Sequence, residues 1–473
     1  MHRASYLVNP AYSFTPSEEA VYLRKKLSCD IVISGQTRNN TSLGVFETAV
    51  ILGENKMALV VMKFGGSSVA DADKIKHVAS KIVAKSKAGN KVVAVVSAPG
   101  DTTDNLLEMA GKVTSNPPFR EMDMLLSTGE MISISLLAMA IDSIGSRVIS
   151  MTGPQAGISA DADHTRARIK KINQKRVKDQ LAKNNIVIVA GFQALNPNGD
   201  ITTLGRGGSD LTAVALAAAL EADSCEIYSD VEGVYTTDPR IVKDARKIDC
   251  VSYDEMLEMS GSGAQVLQSR SVEIAKKFGV EIHSRSTFSE NQGTIITSEE
   301  KIRRKQMEDL LISGITFDKN QVKFTIIDLP DLPGVAAKIF GRLAKIGVNV
   351  DMIIQSAAVD KKNDISFTVS KQDMKKTQVE LDRTIPEFKA VSTRIICDEH
   401  IAKVSIVGIG MKSNPGVAAQ MFEVLYKKGI NIEMISTSEI KISCIVDEVD
   451  IVKAVEELHK SFGLSKKKQE NLL

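Results

Sequence analysis

The stretch VVMKFGGSSV, residues 60–69, ends an apolar run in Lys63 and then turns through Gly65, Gly66 and Ser67. Glycines lack a side chain, so their backbone N–H groups can approach a phosphate closely, and the helix N-terminus expected next favours negative charge. A lysine at the strand end reaches the β- and γ-phosphates of a nucleotide. The same residues also fit a plain strand–helix turn with a surface lysine, and the GxxxxGK[ST] phosphate loop is absent. The more specific signal is TTLGRGGSD at 202–210, which sets Arg206 between Gly205, Gly207 and Gly208 and continues through Ser209 and Asp210 into a very apolar run. Arginine takes a carboxylate through two parallel hydrogen bonds. A purely structural loop rarely needs three glycines around one arginine, so this segment reads as an anion site.

Three further segments carry polar groups at element ends. SAPGDTTDNL, 97–106, offers the hydroxyls of Ser97, Thr102 and Thr103, or alternatively an ordinary helix cap at Thr103 or Asp104. In MDMLLSTGEMIS, 122–133, Glu130 follows a Ser-Thr-Gly step read as a break in an apolar helix; it suits a substrate amino group, or else is a solvated helix charge. IYSDVEGVYTTDPR, 227–240, runs from a strand end into a loop with Asp230, Tyr235, Asp238 and Arg240, where open α/β sheets bind nucleotides; a simple Asp-Pro turn is the alternative. GIGMKS at 408–413 and GSGAQV at 261–266 fail as dinucleotide loops.

The elements that must hold these groups alternate. ALVVMKF, KVVAVVSA, RVISMTG, IVIVAGF, SCEIYSD and VEIHSR read as nearly continuous apolar strands, with helices expected over 71–88, 120–143, 164–183 and 209–221. Such strands favour a mostly parallel sheet covered by helices on both faces. Beyond residue 300 the texture changes: after the charged segment KIRRKQMEDLL, an internal repeat appears. PDLPGVAAKIFGRLAKIGVNVDMI at 330–353 matches KSNPGVAAQMFEVLYKKGINIEMI at 412–435 at twelve of twenty-four positions. Each copy reads as strand, Pro-Gly turn, helix, strand, strand, helix. The strand LLISGITF precedes the first copy and is expected to complete the second, so that the two units interleave.

The bulk numbers narrow the function classes. A chain of 473 residues implies several domains, and 43% hydrophobic residues supply their cores. Lys+Arg 60 against Asp+Glu 58, with no tryptophan, argues against nucleic acid and anionic membrane as partners. Cys29, Cys225, Cys250, Cys397 and Cys444 are scattered without a CxxC pair, which disfavours a disulfide framework or a zinc site and fits a reducing cytoplasm. No apolar run of bilayer-spanning length and no secretory signal is read. Residues 1–56, with short strand candidates DIVISG and FETAVIL, differ from the rest and read as an upstream extension ahead of Met57 or as a genuine N-terminal arm.

The order KFGGSS, SAPGDTTDNL, MDMLLSTGE, TTLGRGGSD, YSDVEGVYTTDPR resembles aspartokinase, and the tandem repeat resembles that family's paired ACT regulatory domains. The likeness runs from about Met57 to the C-terminus. It implies an amino-acid-kinase (carbamate-kinase-like) three-layer α/β sandwich followed by two α+β, ferredoxin-like ACT domains. Expected boundaries are an extension at 1–56, the kinase domain at 57–300, a linker and lent strand at 301–320, and ACT domains at 321–400 and 401–473. The implied reaction is ATP plus L-aspartate to 4-phospho-L-aspartate plus ADP, the first step toward lysine, threonine and methionine, with ATP and Mg²⁺ as cofactors and no protein metal site.

By that resemblance Lys63 and Arg206, with Asp210, are catalytic; Phe64, Gly65, Gly66 and Ser67 with Lys63 meet the phosphates. Ser97, Thr103, Glu130, Arg206 and Ser209 hold aspartate, Glu130 through its amino group and Arg206 through a carboxylate. Tyr228, Ser229, Asp230, Tyr235, Arg240 and Gln265 surround ATP; the family commonly has a lysine where this chain has the neutral Gln265. Asp331, Gly334, Val335, Ala336 and Gln355, with Asn414, Pro415, Val417 and Asn431 in the second copy, are implied effector contacts for lysine and/or threonine. A homo-oligomer, or an α2β2 assembly through the ACT domains, is implied too. Two other readings are a kinase of the same fold for glutamate, acetylglutamate or a nucleotide, disfavoured by MDMLLSTGE and the repeat, and a non-catalytic amino-acid sensor, disfavoured by intact Lys63, Glu130, Arg206 and Asp210.

Overall fold

The computed structural model describes residues 57–263, 266–303, 312–388, 392–409, 411 and 416–465. The expectations for residues 1–56, for most of the charged segment after 300, and for Gln265, Asn414 and Pro415 lie outside these residues. The first half runs β1 (Leu59–Phe64), α1 (Ala72–Lys87), β2 (Lys91–Val96), α2 (Thr102–Val113), α3 (Phe119–Ser143), β3 (Val148–Met151), β4 (Ile158–Ala160), β5 (Ile169–Ile172), α4 (Lys175–Ala182), β6 (Ile186–Ala190), β7 (Gln193–Leu195), β8 (Ile201–Thr203), α5 (Gly208–Leu220), β9 (Ser224–Ser229), β10 (Cys250–Ser252), α6 (Tyr253–Gly261), α7 (Ser269–Phe278), β11 (Ile282–Ser286) and β12 (Thr294–Thr297). The six apolar runs expected as strands all enter one eight-stranded sheet of order β10-β12-β11-β9-β1-β2-β6-β3, parallel except at β11–β12.

Strand alternation divides the sheet into two faces. Val60, Met62 and Phe64 pack with Ile75, Val78 and Ile82 of α1 and Ile134, Leu137 and Ile141 of α3. Val61 packs on the opposite face with Leu211, Val214 and Leu216 of α5 and Val272 of α7. Helix–sheet–helix layering follows, and it decides where Lys63 points: two residues beyond Val61, it lies on the α5 side. β1 has β2 on one flank and β9 on the other, so the chain leaves its C-terminal end toward one side and returns to the other. Crevices at such strand ends are where open α/β sheets bind ligands.

Three expectations need correction. The helix read over 164–183 is α4 alone, preceded by β5; β5 pairs with β4, and ladder formation outweighs the helical period there. The small sheet β5-β4-β7-β8 was not foreseen. α3 is not broken at Gly129 but runs continuously through it. Glycine is needed there because a Cβ would stand 2.7 Å from the Ala98 Cβ. At 25 residues α3 also meets the length and hydropathy of a membrane span, contrary to the sequence reading, yet it packs through Leu137 and Ile141 on the sheet and carries the buried Glu130.

The second half runs β13 (Gly314–Asp318), β14 (Gln321–Pro330), α8 (Val335–Lys345), β15 (Val350–Gln355), β16 (Lys362–Ser370), α9 (Met374–Thr384), β17 (Arg394–Asp398), β18 (Ile401–Val407), α10 (Val417–Lys427), β19 (Met434–Thr437), β20 (Lys441–Asp447) and α11 (Ile451–Ser461). The four-stranded sheets are β15-β16-β14-β17 and β13-β18-β20-β19. β13 precedes the first repeat but pairs antiparallel with β18 of the second, Gly314 opposite Val407. Val335, Ile339 and Leu343 seat α8 on the first sheet, and Val417, Met421 and Leu425 seat α10 on the second. Val242 and Ala245, from the loop after β9, belong to that second core.

Candidate active site

Lys63 closes β1 and its Nζ lies 2.6 Å from Asp210 Oδ1 on the first turn of α5; both side chains are about nine-tenths buried (12% and 11% exposed). The pairing register sets Lys63 level with Val95 of β2 and Ile227 of β9, so turns from three strands meet beside it. They are laced together: the Gly65 N–H donates to Tyr228 O (3.2 Å), the Ser97 N–H to Phe64 O (3.2 Å) and the Gly100 N–H to Gly66 O (3.0 Å). A Cβ on Gly66 would come 2.7 Å from Ala98 O, so that glycine is required for the approach of the two turns. Ser67 is exposed within the short 3-10 turn that follows.

Glu130 enters from α3 and is 3% exposed. Its Oε1 accepts the Ala98 N–H (3.2 Å), while Oε2 is buried with no partner. Burial pushes its carboxyl up to about 7, against the donation from Ala98 that holds it down. Ser133, one turn on, donates to Ser97 O (2.7 Å). Thr103 is half-buried in the first turn of α2; the helix cap falls on Asp101 rather than on Thr103 or Asp104, without a side-chain cap bond.

Arg206 is exposed and makes no salt bridge among the described residues. Gly205 and Gly207 flank it at φ +78° and +72°, backbone that side chains resist. Gly207 is also the N-cap of α5 and offers no side chain to its first N–H groups, of which that of Gly208 bonds to Gly205 O (2.9 Å). Ser209 packs directly on Gly191 after β6.

Ser229, Asp230, Tyr235 and Arg240 line one cleft of about 630 Å³ that opens beyond the end of β9. Arg240 is held by Asp238 in a two-pronged pair, Nε to Oδ1 at 3.0 Å and a terminal nitrogen to Oδ2 at 2.7 Å. Phe64 and Tyr228 are not in this cleft: their rings stack at 4.9 Å within the core, and the Tyr228 hydroxyl donates to Glu226 (2.8 Å). Strand alternation turns both away from Lys63, leaving only their backbone groups near the turns. In the repeats, Gly334 and Gly416 adopt the left-handed conformation at the N-caps of α8 and α10. Val335 and Val417 are core residues whose side chains face inward, so they are not available to an effector. Ala336 is half-buried; Asp331, Gln355 and Asn431 are exposed, and Asp331 accepts from Asn363 (3.0 Å).

The sequence reading missed Asp123. Fully buried on α3, it gathers His164 (2.6 Å), the Thr165 N–H (3.0 Å) and the hydroxyls of Thr202 (3.2 Å) and Thr203 (2.5 Å). It therefore ties the helix carrying Glu130 to the strand that leads into Arg206. Its separation of seven residues from Glu130, two helical turns, was the available signal. Also missed was Thr236, whose hydroxyl meets Nε2 of His459 on α11 (3.0 Å) and whose carbonyl accepts the Ile315 N–H of β13 (2.7 Å).

Comparisons with known proteins agree with this arrangement. The amino acid kinase family matches residues 58–285, and the ACT domain matches 327–384 and 404–462. The aspartokinase of Mycolicibacterium smegmatis is 50% identical over 86% of this chain and 97% of its own length. Among solved structures, E. coli aspartokinase III in complex with aspartate and ADP is 25% identical with a TM-score of 0.72, covering 85% of this chain and 99% of that one. The aspartate kinase of Clostridium acetobutylicum is 26% identical with a TM-score of 0.68, over 85% of this chain and all of that one (100%). The chain belongs to the aspartokinase family, an amino acid kinase domain joined to paired ACT domains.

Proposed function

We infer that this chain transfers the γ-phosphoryl group of ATP to the side-chain carboxylate of L-aspartate, giving 4-phospho-L-aspartate and ADP. The observation that carries the reading is the placement of a buried Lys63–Asp210 pair, an orphaned carboxylate oxygen on Glu130 and an Arg206 with no salt bridge among the described residues around the strand ends. E. coli aspartokinase III, a structural neighbour, holds aspartate and ADP. An ionised carboxylate is already a nucleophile at neutral pH (reference pKa about 3.9), so no general base is required. Its oxygen attacks the γ-phosphorus, the β–γ bridging P–O bond breaks, and the electron pair leaves with ADP. What the protein supplies is position and positive charge. Lys63, aimed by Asp210, stabilises the charge that spreads over the transferring group, with the Gly66 amide and the first turn of α5 beside it.

Glu130 Oε2 takes the substrate ammonium, and Arg206 takes its α-carboxylate through its fork. Ser97, Thr103 and Ser209 supply hydroxyls around it. ATP lies in the cleft of Ser229, Asp230, Tyr235 and Arg240. Mg²⁺ neutralises the phosphate oxygens when bound; the exposed carboxylate of Asp230 is a hard oxygen donor that fits it. The ACT pair senses lysine and/or threonine, with Asp331 and the amides after Gly334 and Gly416 as contacts, and joins chains into an oligomer. The domain limits proposed above, 57–300, 321–400 and 401–473, follow from these assignments, and the cytoplasm is the compartment that supplies the nucleotide.

The test is ADP release with L-aspartate, glutamate or N-acetylglutamate as acceptor, with and without lysine and threonine. Turnover confined to aspartate and suppressed by lysine or threonine is expected. Turnover with glutamate or N-acetylglutamate in preference to aspartate would assign the chain a different acceptor.

A further inference from the structure

The nucleotide cleft has a second wall that does not come from the kinase layers. Ile315, Thr316, Phe317, Asp318, Lys319 and Asn320, the end of β13 and the turn that follows, line it opposite Ser229 and Arg240. β13 is paired into the second ACT sheet and β14, after the turn, into the first, so Lys319 stands at the junction of both regulatory sheets. The wall is fastened in place. The Ile315 N–H bonds to Thr236 O (2.7 Å), and a Cβ on Gly263 would come 1.9 Å from Phe317 O, so the cleft loop and β13 touch backbone to backbone. The turn itself is held by Asp318, which accepts the Asn320 N–H (2.8 Å) and the Gln321 side-chain amide (2.7 Å).

The charge balance of the cleft then singles out Lys319. Among the described residues, Asp230, Asp238 and Asp318 line it with Arg240 and Lys319 as the only cations. Arg240 is occupied by Asp238, and the nearby Glu448 is occupied by Lys371 (2.9 Å). Lys319 is exposed and makes no salt bridge among the described residues, although its charge acts at longer range on Glu448. A polyphosphate entering a cleft with a surplus of carboxylates needs a mobile cation, and a lysine on a fixed turn with a flexible stem provides one.

We propose that Lys319 is a nucleotide-binding residue, contributed by the regulatory half of the chain to the phosphates of the bound nucleotide. The proposal rests on the assignment of this cleft to ATP. It makes the junction of the two ACT sheets part of the substrate site, so a shift between those sheets alters nucleotide affinity without any intervening relay.

The experiment titrates MgADP into the full-length protein, the K319Q variant and the K319R variant by calorimetry, alongside KM for ATP and for aspartate. A partly solvated lysine–phosphate contact predicts about a five- to tenfold weaker Kd for ADP and a matching rise in KM for ATP in K319Q, with KM for aspartate within about twofold and K319R near the parent. ADP affinity in K319Q within twofold of the parent overturns the proposal, as does equal weakening in K319R, which would mark the turn rather than the charge. If the parent binds ADP but phosphorylates no aspartate, the kinase reading fails while the ADP titration still decides Lys319.

Discussion

Replacing Glu130 by glutamine separates binding chemistry from stability with opposite signs. In the folded protein the Glu130 carboxyl is displaced from 4.5 to about 7 by burial. Its folded pKa lies above the unfolded one, so the stabilisation from holding it protonated is complete below about pH 4.5 and lost as pH rises through about 7. Above that pH the ligand-free protein carries a buried carboxylate at a cost of roughly 3 kcal/mol. Glutamine keeps the shape, can still accept from Ala98 N–H, and removes that charge. E130Q without substrate should therefore be more stable than the parent at pH 8, by up to about 3 kcal/mol, and nearly equal to it at pH 4.5. Aspartate binding moves the other way: losing a buried ammonium–carboxylate contact raises KM for aspartate by roughly 30-fold or more. In the parent, kcat/KM for aspartate follows the ionised fraction of free Glu130, falling about tenfold from pH 8 to pH 6. In E130Q that limb flattens. Thermal melts at pH 4.5 and 8 with steady-state kinetics from pH 6 to 8 read both effects. An E130Q protein that is less stable at pH 8, or that keeps the tenfold limb, refutes the assignment of Glu130 as a buried ammonium receptor.

Lys63→Ala should lower kcat by about 10²- to 10⁴-fold while the fold, read by circular dichroism, persists; loss of less than tenfold removes Lys63 from the transition state. Gly207→Ala places a Cβ 1.7 Å from the Gln268 side chain at a left-handed φ, so it should cost about 2 kcal/mol or more in denaturant unfolding. Asp123→Ala strands the hydroxyls of Thr202 and Thr203 and frees the strand leading to Arg206. It should raise KM for aspartate several-fold and cost about 3 kcal/mol of stability, while ADP affinity measured by calorimetry stays within twofold.

What the sequence made legible was the local part of the site. Lys63 at a strand end, three glycines around Arg206 and a polar turn after β9 are each contiguous, and each mapped onto the crevice at the strand ends. The apolar strands were readable because both faces of the central sheet are covered, which leaves nearly unbroken runs such as Val92–Val96. The short strands β4, β5, β7 and β8 were not readable, since three- and four-residue ladders have no period of their own and exist only through pairing. Asp123 was invisible for a related reason: its partners lie 41 to 80 residues away. Tyr228 was misjudged because a residue adjacent to a loop was taken for part of it; one step along a strand reverses the face. The glycine at 129 was read as a helix breaker, whereas close approach to Ala98 explains it.

The central claim is that this chain makes an acyl phosphate on aspartate. The most direct measurement traps that product with hydroxylamine and identifies aspartate β-hydroxamate by mass spectrometry. The account predicts hydroxamate only when protein, ATP, Mg²⁺ and L-aspartate are all present, and its loss in Lys63→Ala. ADP formation without any aspartate hydroxamate, or hydroxamate that persists undiminished in Lys63→Ala, contradicts it.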